Sequence, residues 1–261
     1  MKYFLTFFVA LTTLNTSIAQ KFTIKPVSNT IHFLNINELR VEGYDGTEVV
    51  FESEDYDDDD DYGQRTDGLR MVNSEGLEDN TSLGLSVSNH NDVLTVNQIR
   101  SGSCSNYDNE YVVRIPRNMN ILFNNSSWEG DDLTIDGVSG EIEISANHNN
   151  IYLENVTGPM AVKTVYGTID AEFKNLSQSG SVTLYAVYEY VDISLPTNST
   201  SNINFKTSHG NIYTDMNIEI DKNKHKSKSW TGDHIKGSLN GGGVDLVVTA
   251  TYDNIYLRAA K

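Results

Sequence analysis

The chain writes one phrase five times: NHNNIYLENV (147–156), VYGTIDAEF (165–173), VYEYVDISL (187–195), SHGNIYTDM (208–216) and TYDNIYLRAA (251–260). Aligned on the last aliphatic before each polar step, the anchors are Ile151, Ile169, Val191, Ile212 and Ile255, spaced by 18, 22, 21 and 43 residues. Nine and seven positions upstream stand Ile142/Ile144, Met160/Val162, Val182/Leu184, Ile203/Phe205 and Leu246/Val248. Five upstream the residue is always Ala or Thr: Ala146, Thr164, Ala186, Thr207 and Ala250. Three upstream is a ring: His148, Tyr166, Tyr188, His209 and Tyr252.

A period near 20 residues marks a stacked repeat, in which each unit buries its apolar face only against its neighbours. Within a unit the aliphatics alternate and are rich in Val and Ile, and Gly or Asn corners break the runs, so the units are strands and not helices. The expected fold is therefore all-β, a β-solenoid resembling a parallel β-helix, with coils of about 20 residues stacked about 4.8 Å apart. The Ala or Thr column should be a tight inward corner, and the ring column should stack there as a structural ladder.

The pattern extends backwards less regularly. Ile121-Leu122-Phe123, Trp128 and Leu133-Thr134-Ile135 form one expected turn with an extra corner residue, and Leu39, Val41, Val49 and Phe51 another, closed by Tyr44-Asp45-Gly46. VLTVNQI (93–99) and YVVRIP (111–116) read as strands without the ring column. The expected organisation is one solenoid domain over 20–261 with polar insertions at 52–82 and 221–243, the second filling the doubled period.

Residues 1–19 read as a secretory signal peptide: Lys2 precedes an apolar stretch from Tyr3 to Leu14, and Ser17-Ile18-Ala19 offers a small-x-small cleavage site. No later apolar run is long enough for a membrane span. The expected destination is the periplasm or the cell surface, with no membrane barrel following the repeats. With 36 acidic against 19 basic residues, a net charge of -17, the surface repels phosphate backbones and nucleic acid is not an expected partner. The single cysteine, Cys104, allows no internal disulfide, so a core must hold the fold.

At GLEDNTSLGLSV, NVTGPMAVKTVYGTI, LNGGGVDL and YDNIYLR the chain is similar to the putative-adhesin, β-strand-repeat family of unknown function from exported proteins of Bacteroidetes-type bacteria. The resemblance implies a β-solenoid and a cell-envelope or extracellular address. It carries over no catalytic residues.

The acidic run EDYDDDDDY (54–62) places Asp57, Asp59 and Asp61 at alternate positions, like the first half of a calcium loop. Tyr62 and Gly68 then stand where an EF-hand needs Gly and Glu, so at most weak calcium binding is expected and no other cofactor. The basic run KNKHKSK (222–228) reads as a polar insertion. No metalloprotease, nucleophile-elbow or nucleotide-loop motif is present.

Asp170 and Asp192 each follow an anchor and should point outward from adjacent coils, a spacing that could serve a glycosidase. The same column reads Tyr152, Tyr213 and Tyr256 in the other coils, with no Arg or His column beside it. That pattern is an exposed Tyr/Asp stripe, not a walled cleft. The expected function is a non-enzymatic, adhesin-like binding or structural role, contacting a glycan or an envelope protein along this stripe. The alternatives are a polysaccharide-acting enzyme using the two carboxylates and a periplasmic scaffold binding through an open solenoid end.

Overall fold

The computed structural model describes residues 20–53, 68–99, 110–221 and 232–260. The signal-peptide stretch 1–19, Asp57, Asp59 and Asp61 of the acidic run, Cys104 and the basic run 222–228 lie outside the described residues. Among the described residues no helix is long and apolar enough to cross a membrane, and all regular structure is strand.

In chain order the strands are β1 (Gln20–Ile24), β2 (Thr30–Leu34), β3 (Leu39–Tyr44), β4 (Val49–Ser53), β5 (Leu85–His90), β6 (Val93–Gln98) and β7 (Tyr111–Pro116). Then come β8 (Asn120–Asn125), β9 (Asp132–Asp136), β10 (Ile142–Ala146), β11 (Asn150–Val156), β12 (Met160–Thr164), β13 (Ile169–Phe173) and β14 (Val182–Ala186). The last are β15 (Val191–Leu195), β16 (Ser201–Thr207), β17 (Ile212–Thr214), β18 (Glu219–Ile220), β19 (His234–Leu239), β20 (Val244–Ala250) and β21 (Ile255–Ala259).

These strands build two facing sheets. The front sheet runs β1-β4-β7-β3-β9-β11-β13-β15-β21-β17, and the back sheet runs β18-β19-β16-β20-β14-β12-β10-β8-β2-β6-β5. Each coil passes along a back strand, turns a corner and continues along a front strand. The all-β solenoid expected from the repeats is the observed fold. Its alternating aliphatics point between the sheets: Ile142, Val182, Leu184, Phe205, Leu246 and Val248 are buried, as are the anchors Ile151, Ile169, Val191 and Ile255. Each such side chain stabilises the fold by about 1.5–3 kcal/mol.

The coils do not stack in sequence order. In space they run β6–β7, β2–β3, β8–β9, β10–β11, β12–β13, β14–β15, β20–β21, β16–β17. At the C-terminal end β20–β21 is inserted between two coils that follow each other in sequence. Val191 is in register with Ile255, and Ile255 in turn with Ile212. Part of the second expected insertion makes the detour: β19 lies antiparallel along the outer side of β16, and β20 returns parallel along its inner side. Between them Asn240, Gly241 and Gly242 take positive φ and reverse the chain.

The N-terminal end repeats this device with β2–β3, which lies between β6–β7 and β8–β9. Here the turn expected from Leu39, Val41, Val49 and Phe51 is corrected. Leu39 and Val41 belong to β3, Val49 and Phe51 to β4, and β7 separates the two strands within the front sheet. Antiparallel strands flank both ends: β1 and β4 on the front sheet, β5 and β19 with β18 on the back. Short antiparallel borders of this kind blunt the open edges that a parallel stack would otherwise present.

Candidate binding face

Two columns of stacked side chains run across the coils, the expected structural ring column and the candidate binding stripe. The first begins at the Ala/Thr corner, where the two residue types behave differently. The buried Thr164 hydroxyl donates to the Asn149 carbonyl of the neighbouring coil at 3.1 Å and accepts the Gly167 amide at 3.2 Å. Thr207 does the same with the Asp253 carbonyl (3.0 Å) and the Gly210 amide (2.8 Å). In both coils the chain then passes so close to its neighbour that only glycine fits: a Cβ at Gly167 would sit 1.8 Å from the Asn149 carbonyl oxygen, and one at Gly210 2.1 Å from that of Asp253. The Ala coils carry Asn149, Glu189 and Asp253 at the glycine position.

Just outside this corner the rings stack. Centroids lie 4.6 Å apart for His148–Tyr166, 4.9 Å for Tyr166–Tyr188, 5.2 Å for Tyr188–Tyr252 and 4.8 Å for Tyr252–His209, with planes within 21° of parallel. Tyr252 sits between Tyr188 and His209 because its coil is the inserted one. About half of each tyrosine remains exposed, and the interior rings have both faces covered by other rings.

The second column lies on the outer surface of the front sheet. Register places Tyr152 beside Asp170, Asp170 beside Asp192, Asp192 beside Tyr256 and Tyr256 beside Tyr213. The Tyr213 and Tyr256 rings stack at 5.4 Å, and Tyr190 meets Tyr256 edge-on at 6.1 Å. β17 is the last front strand, so Tyr213 presents its second face away from the stack.

The carboxylates are not a free pair. Arg258 grips Asp192, with Nε at 2.8 and 2.9 Å from the two carboxylate oxygens and Nη2 at 2.8 Å, and its guanidinium lies 5.3 Å from the Tyr256 ring centre. A reading of the sequence looks for an Arg or His column beside the stripe and passes over this single arginine. The signal was the two-residue strand period, which puts Arg258 on the same face as Tyr256. The hydrogen bond to Asp192, then its negative charge, raises the Arg258 pKa above its ordinary value and keeps it a cation.

Asp170 accepts a hydrogen bond from the Tyr190 hydroxyl at 3.1 Å. Burial raises its carboxyl above the ordinary value, the Tyr190 bond opposes that rise and the charge of Asp192 adds to it. Burial also raises the hydroxyls of Tyr152 and Tyr190, helped by Asp132 for the former and Asp170 for the latter. Together Tyr152, Asp170, Asp192 and Arg258 border a depression of about 250 Å³. It is a surface with one neutralised and one partly buried carboxylate, suited to hydrogen bonding and ring contact. Among the described residues no cluster of His, Cys, Asp and Glu is arranged to hold a metal ion.

Residues 131–240 match the Toastrack DUF4097 family model. Two solved structures cover the chain at low identity. One is a putative cell adhesion protein from Clostridium sporogenes, 12% identical, covering 93% of this chain and 100% of its own with a TM-score of 0.46. The other is a putative adhesin from Bacteroides fragilis, 11% identical, covering 94% of this chain and 98% of its own with a TM-score of 0.34. No curated protein matches the sequence. The matched segment holds β9 to β19 and omits β20–β21, the coil that fills the gap inside it. The segment 131–240 of the chain is thus similar to the Toastrack DUF4097 family, and the rest of the solenoid lies outside that match.

Proposed function

We propose that the chain is an exported, non-enzymatic, adhesin-like binding protein of the cell envelope or surface, which contacts a glycan or a protein partner along the outer face of the front sheet. The observation that carries this reading is the register column Tyr152, Asp170, Asp192, Tyr256, Tyr213, repeated across five adjacent coils on a rigid core. Aromatic and bidentate arginine groups held in register give many weak contacts that act together. The leader-like residues 1–19 support export.

The carboxylates speak for binding over hydrolysis. A glycosidase needs both carboxyl groups, one as acid and the other as nucleophile or base, and here Arg258 occupies both oxygens of Asp192 while Tyr190 donates to Asp170. The test is to incubate residues 20–261 with envelope polysaccharides and glycans, with and without calcium, and to record retention and released oligosaccharides. Retention without cleavage, weakened by Tyr213→Ala, is the expected result. Release of products that Asp170→Asn abolishes would overturn the reading in favour of an enzyme.

A further inference from the structure

A second depression lies away from the Tyr/Asp face, at the corner where the chain leaves β2, β6 and β8 of the back sheet. It encloses about 740 Å³, in the range of small-molecule sites, between the loop 71–75 and the corner 126–128. Trp128 lines it and is 76% exposed, with Met71 and Val72 opposite, also exposed. A tryptophan left this open on a chain with a complete core has its indole face available for a ligand.

The polar lining combines the side-chain amides of Asn35, Asn73 and Gln98 with three serines and Glu75. Asn73 uses only its oxygen, which accepts the Glu75 and Leu77 amides at 3.0 and 2.9 Å. Gln98 likewise uses only its oxygen, accepting the Asn37 amide at 3.2 Å. Among the described residues neither NH2 group has a hydrogen-bond partner, nor does the side-chain amide of Asn35, so these groups can serve as donors. The loop that carries Asn73 is held in place by the Asp79 amide on the Met71 carbonyl (2.9 Å) and by Arg70 on Glu78 (2.9 Å). The donors are therefore set before any ligand arrives, which lowers the ordering cost of binding.

The chemistry selects the occupant. Among the described residues the lining holds no Lys, Arg or His and one carboxylate, Glu75, on a chain of net charge -17, so it offers phosphates, sulfates and acidic polymers no counter-charge. A purely apolar ligand would strip water from the amide donors without replacing it. A neutral, hydroxyl-rich ligand with apolar ring faces satisfies both the indole and the amides. We infer that the groove at Trp128 is a binding site for a neutral glycan chain, separate from the front-sheet face. The ring ladder starts beside it: His148 Nδ1 lies 3.2 Å from the carbonyl oxygen of Ser127, the residue before Trp128.

The sequence contains two tryptophans, so Trp230→Phe leaves Trp128 as the sole indole reporter. This protein is titrated with cellohexaose, maltohexaose, mannohexaose and chitohexaose, and with an alginate hexamer as the acidic comparison. The expected result is that at least one neutral oligosaccharide shifts Trp128 emission to shorter wavelength and protects it from acrylamide, while alginate does not. Asn73→Asp keeps the oxygen that closes the loop but removes the NH2 donor, and should weaken binding about tenfold. Tyr213→Ala in the same background should leave the protection intact, which separates this site from the front-sheet face. Protection by none of the four neutral chains, equal protection by alginate, or an unchanged affinity in Asn73→Asp would each overturn the inference.

Discussion

Leu257 lies in β21, the last strand in chain order among the described residues, where a stack built in chain order would place it in an exposed final coil with one neighbour. In the structure β21 is an interior strand. Leu257 is in register with Ile193 on one side and Thr214 on the other, and it is 1% exposed. Leu257→Ala therefore empties a site lined on both sides and should cost about 2–5 kcal/mol, as large-to-small changes in closed cores do. Ile212 belongs to the coil that ends the front sheet in space, in a three-residue strand with one neighbour, and is half-buried. Ile212→Ala loses less burial and leaves a site open to solvent, at a cost of about 1–2 kcal/mol. Urea unfolding followed by circular dichroism reads the difference directly. With a urea dependence near 3 kcal/mol/M, Leu257→Ala should lower the midpoint by about 1 M, and Ile212→Ala by half of that or less, with the slope unchanged. If Ile212→Ala proved equally or more damaging, the inserted position of the last coil would be refuted.

Two further outcomes follow from the corner and from the face. Gly167→Ala should destabilise by about 2 kcal/mol or more in the same unfolding assay, because the new Cβ meets a backbone oxygen of the neighbouring coil that cannot move alone; a neutral result would mean that the coils can separate locally. For Asp170 the folded pKa is raised above its ordinary 3.8, so the folded state holds a proton that the unfolded chain has already lost. Wild-type stability should accordingly fall, relative to Asp170→Asn, as pH rises from 3.8 through the folded value, and the difference should then level off. A difference that is flat across this window, or that grows in favour of the wild type as pH rises, would contradict the burial of Asp170.

What the sequence made legible is what a single coil can encode. Alternation fixes which aliphatics point inward, since a one-residue slip would turn Ile142 and Ile144 outward. The invariant small corner marks where two coils come closest. The order of coils is a different kind of information. β16–β17 and β20–β21 present similar inward sets, Ile203, Phe205 and Ile212 against Leu246, Val248 and Ile255, so either could lie against β14–β15 with similar burial. The choice is made by the connection, through β19 on the outer side of β16 and the turn at Asn240–Gly242.

The chemistry of the face depended on that choice. In a stack ordered by sequence, Asp192 would neighbour Asp170 and Tyr213, leaving two adjacent carboxylates without a cation and inviting a catalytic reading. With β21 inserted, Asp192 faces Tyr256, and Arg258 reaches it diagonally across the strand pair. The arginine was visible as a residue in the closing IYLR but not as a partner. The same holds for the groove at Trp128, whose walls come from β2, β6, β8 and the loop 71–75, segments that sequence spacing keeps far apart and that the inserted N-terminal coil brings together.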